Sequence, residues 1–404
     1  MSLPVKDNTL FYLFLFILVW IPLPLGSNRP WSAMLMCLGI SVLCLLWNLF
    51  FVTGRVKISK TFIKAWPVLS LLLLSVFFVV YQFFMRQSID LETTFLELIQ
   101  SISLLLLFSM ALLLVNSSRR IKLTIITLVA SGLFQALFGS LMTLSGIEYT
   151  FFLEKESYIG VATGTFINRN HLAGYLVICL SLGLGMMIAS LKGSASSLKE
   201  FSRNFLSAIL SQKAPLRISL VIMVAALVMT HSRMGNTAFF ASMGIIGTLT
   251  ILLKKRSAGS TILLLVSLLV IDIAVVGSFF GVDKVINRLE QTSIDKETRD
   301  EVNLYSIKII EDNLLQGTGA GTFYTSFPQV REREVGFLFY DHAHNDYFEF
   351  LTERGVIGSA PLLLAVILTF IMSLYALWKR RNPLMRGCAF ACSMSMLAMA
   401  IHAS

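Results

Sequence analysis

The sequence predicts an all-α polytopic membrane protein, and three observations carry that prediction. Hydrophobic residues fill 56% of the 404 positions and charged residues only 14%. Mean hydropathy is +0.77, far above what a soluble chain of this length shows. Several apolar runs reach about 18–23 residues, the length that crosses a hydrocarbon core of about 30 Å. The same unbroken runs exclude a β-barrel, whose strands alternate polar and apolar residues.

Taken in order, the runs place spanning helices over roughly 9–26, 32–52, 65–85, 95–115, 121–143, 171–191, 217–232, 235–253, 258–280, 355–378 and 386–403, about eleven in all. The pair at 217–253 is interrupted by Thr230-His231-Ser232-Arg233-Met234-Gly235-Asn236, which reads as a tight turn at the membrane surface. The chain reads as one integral membrane domain over 1–404, with a large outer loop over 281–354 inside it and a shorter outer segment near 144–170. A loop as long as the first needs structure of its own. Thr298-Arg299-Asp300-Glu301 matches a capping box, and Val302, Tyr305 and Ile309 follow at helical spacing. That helix should stop at Gly317, with Gly317-Thr318-Gly319-Ala320-Gly321 as a flexible turn. There is no obvious internal repeat.

The net charge of +10 raises the question of nucleic acid, and the placement of the charges answers it. With the N-terminus in the cytoplasm, the inner segments collect most of the 33 lysines and arginines, while of the 23 acids only Asp7 and Glu200 fall there. A basic excess on one side is the signature of membrane orientation, so no nucleic-acid partner is expected. All five cysteines (Cys37, Cys44, Cys179, Cys388, Cys392) lie in apolar segments without CxxC spacing. They read as small core residues, with no disulfide and no metal site. The first apolar run lacks a small-residue cleavage site, so no cleavable signal peptide is expected.

Four polar residues at the outer ends of predicted spans stand out. His344 begins a helix with Asp346, Glu349 and Glu353 nearby, and histidine is the side chain suited to proton transfer near neutral pH. Arg233 ends a very apolar segment beside a hydroxyl-rich turn, where a charge usually faces a cavity or a partner. Arg299 sits in the first turn of a helix, where the macrodipole gives it nothing. Arg169 lies among Asn168, Asn170 and His171. Each also has a plain reading: a surface histidine at a helix start, a snorkelling arginine, solvated loop charges. As a group, three arginines and a histidine on one face fit bidentate recognition of phosphate with a base at hand. The glycine turn lacks the Lys-Ser/Thr of a nucleotide-binding loop.

The order of these segments resembles the bacterial O-antigen ligase / O-antigen polymerase superfamily. Leu23-Pro24-Leu25-Gly26-Ser27-Asn28-Arg29-Pro30-Trp31 is similar to the family's first outer loop. Gly164-Thr165-Phe166 through Asn170-His171-Leu172-Ala173 is similar to its Gly-x-Phe…Asn-x-x-Ala segment, and Thr230-His231-Ser232-Arg233 to its Thr-x-Ser-Arg segment. Arg299 followed by Gly317 through Phe323 resembles its arginine-helix-glycine segment. His344-Asn345, nine residues and Gly355 match the ligase pattern His-Asn-x9-Gly.

The resemblance implies a membrane glycosyltransferase of the bacterial inner membrane, acting on its periplasmic face. The donor would be an undecaprenyl-diphosphate-linked glycan and the acceptor a glycan or lipid A core, with no cofactor and no metal. It makes His344 the catalytic residue, places Arg233 and Arg299 on the diphosphate with Arg169 as a looser match, and leaves His342, Asn345 and Asn170 in support. The family pattern continues past its histidine segment into an Asp-Phe motif and one more helix, where this sequence has Ile401-His402-Ala403-Ser404, and that departure leaves the helix count open. Ligation with inversion leads, ahead of polysaccharide polymerisation and protein O-oligosaccharyl transfer. A lipid-linked glycan transporter or flippase is the alternative of another class and calls for broken helices at mid-membrane depth. A membrane scaffold is the third reading and needs no arginine–histidine group.

Overall fold

The computed structural model describes residues 7–150, 152–190, 214–253, 302–331 and 342–404. In chain order its helices are α1 (Asn8–Trp20), α2 (Pro30–Val52), α3 (Lys60–Lys64), α4 (Trp66–Phe84), α5 (Leu91–Leu114), α6 (Ser118–Ser145), α7 (Arg169–Ala189), α8 (Ala214–Met229), α9 (Arg233–Leu253), α10 (302–312), α11 (Phe323–Val330), α12 (Asp346–Lys379) and α13 (Pro383–His402). Between α6 and α7, β1 (Tyr149–Thr150) and β2 (Leu153–Glu154) form a small antiparallel hairpin. The protein is an all-α polytopic membrane protein: eight of these helices (α2, α4, α5, α6, α7, α9, α12, α13) are long and apolar enough to cross a bilayer.

The helix expected over 9–26 is shorter than that. It ends as the 13-residue α1, because Pro22 and Pro24 supply no N–H and restrict the residue before each. The chain turns instead through a 3-10 turn at Leu25–Ser27. The expected span at 217–232 is described as the 16 residues of α8. The expected span at 258–280 and the capping box at 298–301 lie outside the described residues, and so does Arg299. Val302, Tyr305 and Ile309 do share a buried face of α10, packed against Phe323 and Phe327 of α11. Of the cysteines, Cys37, Cys44 and Cys179 are core residues as expected, whereas Cys392 is exposed on α13.

Polar residues set the helix starts. Asp90, Ser117, Asn168, Asn345 and Asn382 each accept a backbone N–H from the first turn of the helix that follows, a cap worth about 1 kcal/mol. Asp90 also takes the Thr325 hydroxyl of α11 at 3.2 Å. The Thr93 N–H, first among several donors, holds its carboxyl below the usual range.

The bundle is centred on α7, with 72% of its span buried against 17–39% for the other seven. It packs against α6, α8, α9 and α13 in one core, while α1, α2 and α5 form a second. Between membrane helices close approach depends on small residues. The crossing of α7 with α13 shows why: a Cβ on Gly387 would land on the Gly185 carbonyl, and a Cβ on Gly185 on the Gly387 carbonyl.

One long helix is broken. At Gly355 (φ 56°, ψ −169°) α12 leaves helical geometry, so the backbone groups around the break lose their i/i−4 partners. The glycine turn after α10 supplies replacements. Val356 N–H donates to Leu314 O at 2.8 Å and Ile357 N–H to Leu315 O at 3.2 Å. In return Thr318 N–H and Gly319 N–H donate to the carbonyls of Thr352 and Glu353, both at 2.9 Å. The Glu353 carboxylate accepts Gly321 N–H at 2.8 Å and Phe323 N–H at 3.1 Å. Buried Gln82 of α4 donates to Gln316 O and Glu353 O and accepts Ala320 N–H. Arg354 donates to Glu97 of α5 at 2.9 Å. The turn expected to be flexible is therefore bonded along its whole length.

Replacing Gly387 by alanine must push α13 off α7, and overpacking of this kind costs about 1–3 kcal/mol. Gly387→Ala should lower the thermal midpoint in detergent. Gly244→Ala on α9, where an added Cβ meets nothing within 4 Å, should leave it unchanged or raise it.

Candidate active site

A cavity of about 900 Å³ opens at one end of the bundle, where four helix ends meet. Arg169, Asn170 and His171 enter it from the start of α7, Arg233 from the start of α9, His344 and Asp346 from the start of α12, and His402 from the end of α13. Gly26, Ser27 and Asn28 of the turn between α1 and α2 form a rim, and Tyr175 lies deeper along α7. Residues 169, 233 and 344 are far apart in sequence and share no element, yet they line one space.

Each arrives there for a local reason. Arg169 is the first residue of α7, behind the Asn168 cap. The segment before it is pinned by buried Gln135 of α6: Gln135 Oε1 accepts Thr165 N–H at 2.9 Å, and Gln135 Nε2 donates to Thr165 Oγ1 at 2.8 Å. The Thr165 hydroxyl donates in turn to Pro22 O at 2.6 Å, and Phe166 packs on Gly26. The α1–α2 turn and the Gly164-Thr165-Phe166 segment are thus two halves of one wall. The hairpin between α6 and α7 is closed by Lys155, which donates to Glu148 at 2.6 Å and to Val161 O at 2.8 Å. It brings the Tyr158 ring to 5.5 Å from the Arg169 guanidinium. Arg169 Nε is buried and has no hydrogen-bond partner, an unpaired donor in a wall of the cavity.

Arg233 follows a turn made by its neighbours. Thr230 and Ser232 are buried. Thr230 Oγ1 donates to Leu227 O at 2.6 Å and accepts Ser232 N–H at 3.1 Å. Ser232 Oγ then accepts Gly235 N–H at 3.2 Å. With the flanking hydroxyls occupied by the backbone, Arg233 is the exposed residue of the turn. The break between α8 and α9 falls where the sequence placed it.

His344 sits between two anchored neighbours. Ala343 is 2% exposed in the core formed by α10 and α11. Asn345 caps α12, its Oδ1 accepting Tyr347 N–H at 3.1 Å and Phe348 N–H at 3.4 Å. His344 itself has φ 54°, an uncommon conformation for a residue with a side chain. Asn345 is thus a cap outside the cavity lining. His342 lies outside it too, exposed and 2.7 Å from Glu349.

The sequence reading did not single out His402, a lone histidine in the last turn of an apolar helix. Its Nε2 is 3.0 Å from the Asn170 carbonyl, so that nitrogen carries the proton; Nδ1 is buried without a partner. Asn170 therefore supports the site through its backbone as well as by lining it. Asp346 N–H donates to Ala403 O at 2.9 Å and the Tyr347 hydroxyl to Ala400 O at 2.9 Å, which fastens the start of α12 to the end of α13.

Three helices point their N-termini into the cavity, together equivalent to positive charge, and two arginines add to it. Among the described residues Asp346 is the one acid that lines it. The space favours an anion, and its volume is that of a small-molecule site. Among the described residues no cluster of His, Cys, Asp or Glu has the geometry of a metal site.

Comparison with curated proteins gives no match. Residues 218–363, the stretch that holds Arg233, Arg299, His344 and Gly355, match the O-antigen ligase family model, so over that stretch the chain is similar to the O-antigen ligases.

Proposed function

We propose that the protein is a glycosyltransferase that moves a glycan from undecaprenyl diphosphate to an acceptor hydroxyl on the periplasmic face of the inner membrane, in the manner of an O-antigen ligase. The observation that carries this reading is the meeting of Arg169, Arg233 and His344 in one cavity ringed by helix N-termini. The arginines and helix ends hold the diphosphate of the donor. Arg299 is assigned to the same group on the resemblance alone. The acceptor oxygen attacks the anomeric carbon as its proton passes to His344. The bond from that carbon to the diphosphate oxygen breaks, and undecaprenyl diphosphate leaves with the electron pair. Charge grows on the leaving oxygen, where fixed donors stabilise the transition state more than the ground state. Direct displacement inverts the anomeric centre.

Polymerisation and protein glycosylation use the same donor chemistry and differ in the acceptor. A transporter needs a broken helix that exposes backbone to its cargo. The break at Gly355 is filled by the chain's own turn, which favours the enzyme.

The test is transfer in vitro by purified protein from a lipid-diphosphate oligosaccharide to lipid A core, to a second lipid-linked glycan or to a protein acceptor. His344→Ala should lose about 10²–10⁴-fold in kcat, the worth of a general base, while donor binding and thermal midpoint hold. Unchanged turnover removes His344 from the chemistry. Arg233→Lys keeps the charge and loses the guanidinium fork. It should lose about 10²-fold or more in kcat and show weaker protection by inorganic diphosphate. Wild-type behaviour there rejects a bidentate contact.

A further inference from the structure

A base in a left-handed backbone conformation needs something to hold it there. The group that does so lies away from the cavity, in the first turn of α12. Glu349 uses both carboxylate oxygens on the segment just before His344. Oε2 accepts the N–H of Ala343 at 2.9 Å, and Oε1 meets Nδ1 of His342 at 2.7 Å. The carboxylate therefore reaches back over the Asn345 cap and grips the two residues that lead into His344.

Ala343 alone has little to hold it in register. Its methyl is buried among Val302, Tyr305, Ile309, Phe323 and Phe327, an apolar contact that fixes depth but not rotation, since hydrophobic packing is non-directional. The hydrogen bond to Glu349 supplies the direction. On the other side of His344, Asn345 is fixed by its cap. With both neighbours tied to the same helix turn, the φ of 54° at His344 is imposed from outside.

We propose that Glu349 is the positioning residue for His344: its carboxylate ties Ala343 and His342 to the first turn of α12 and so sets the direction in which the imidazole enters the cavity. The inference rests on the reading of His344 as the base. Glu349 touches neither the cavity nor a reacting atom, so its effect is through His344 alone. Its surroundings are crowded with charge. His342 pairs with it directly, Asp346 and Glu353 flank it on α12, and Glu97 of α5, bonded to Arg354, faces it from across the helix pair. The plainer role for an acid in a first turn is to complement the macrodipole and stabilise the helix. The two roles separate experimentally, because a helix-stabilising acid affects the amount of folded protein and not the turnover of what is folded.

The experiment compares wild type, Glu349→Ala and Glu349→Gln in lipid nanodiscs. It measures kcat and KM for donor, the thermal midpoint, and the rate at which diethyl pyrocarbonate modifies His344, read by mass spectrometry. Glutamine keeps an acceptor for Ala343 N–H and a donor for His342 Nδ1; alanine keeps neither. Glu349→Ala should lose about 10²-fold in kcat, as a displacement of about 1 Å does, with KM for donor unchanged and His344 labelled at an altered rate. Glu349→Gln should restore both kcat and the labelling rate. A fall in thermal midpoint with wild-type kcat and wild-type labelling in Glu349→Ala overturns the proposal in favour of helix stabilisation. Wild-type protein that transfers nothing sinks the glycosyltransferase reading, while the labelling rates still decide whether Glu349 positions His344.

Discussion

The break at Gly355 is the joint on which the cavity end of the bundle depends. A backbone group stripped of its partner near hydrocarbon costs several kcal/mol, so a helix opens there only if something else fills it. Here Leu314, Leu315, Thr318 and Gly319 take up the groups of Thr352, Glu353, Val356 and Ile357. The exchange requires two bare backbones in contact. A Cβ on Gly317 would strike the Glu353 carbonyl, and one on Gly355 would strike the carbonyl of Leu315. Because the turn is bonded to α12, the α10–α11 unit is fixed relative to the bundle, and the Ala343 pocket between them is fixed with it. The glycine of the His-Asn-x9-Gly pattern is therefore spaced from the histidine by one short helix, from the Asn345 cap to the break.

The cavity end of the bundle is organised by the opposite economy. Positive charge is gathered with little acid to balance it, which is tolerable only where an anion or water completes the field. Helix N-termini contribute partial charge that cannot be neutralised by proton loss, and Arg169 and Arg233 add guanidinium groups to it. The acids instead sit one turn deeper. Glu349, Glu353 and Glu97 are each engaged with a histidine, backbone amides or Arg354. Among the described residues, Asp346 is the one carboxylate of the cavity lining that competes with a diphosphate.

Much of this was legible in the sequence, and the parts that were not have physical causes. Long apolar runs announce spans because a bilayer fixes their length, so α2, α4, α5, α6, α7 and α9 fall close to expectation. The 9–26 span failed because apolar content hid Pro22 and Pro24, which act through the backbone. Arg233 was readable as a charge at the end of an apolar run, and His344 as a histidine before one. Their convergence with Arg169 was not, since nothing in a one-dimensional pattern says which helix ends share a corner. His402 gave no signal beyond being a titratable residue in an apolar helix; its meaning comes from the Asn170 carbonyl across the α7–α13 crossing. The glycine turn was misread as flexible because glycine spacing reports conformational freedom, while the bonds that remove that freedom come from Gln82 and Glu353, far away in the chain.

The stretch that matches the ligase family, 218–363, does not build the cavity by itself. It brings Arg233 and His344, but Arg169, Tyr175, His402 and the Gly26–Asn28 rim come from outside it. The two sets are joined through α7, which is buried on all sides by helices from both. Arg169 begins α7 itself, and α12, which His344 precedes, is tied to α7 through α13, so core packing bears on the register of the guanidinium and the imidazole. A close-packed core transmits small displacements, so the Gly185–Gly387 contact deep in the bundle bears on the site as well as on stability. Opening that crossing moves α13 relative to α7, and with it His402 away from Asn170 and Ala403 away from the start of α12. The geometry of the cavity is in this sense a property of the whole bundle.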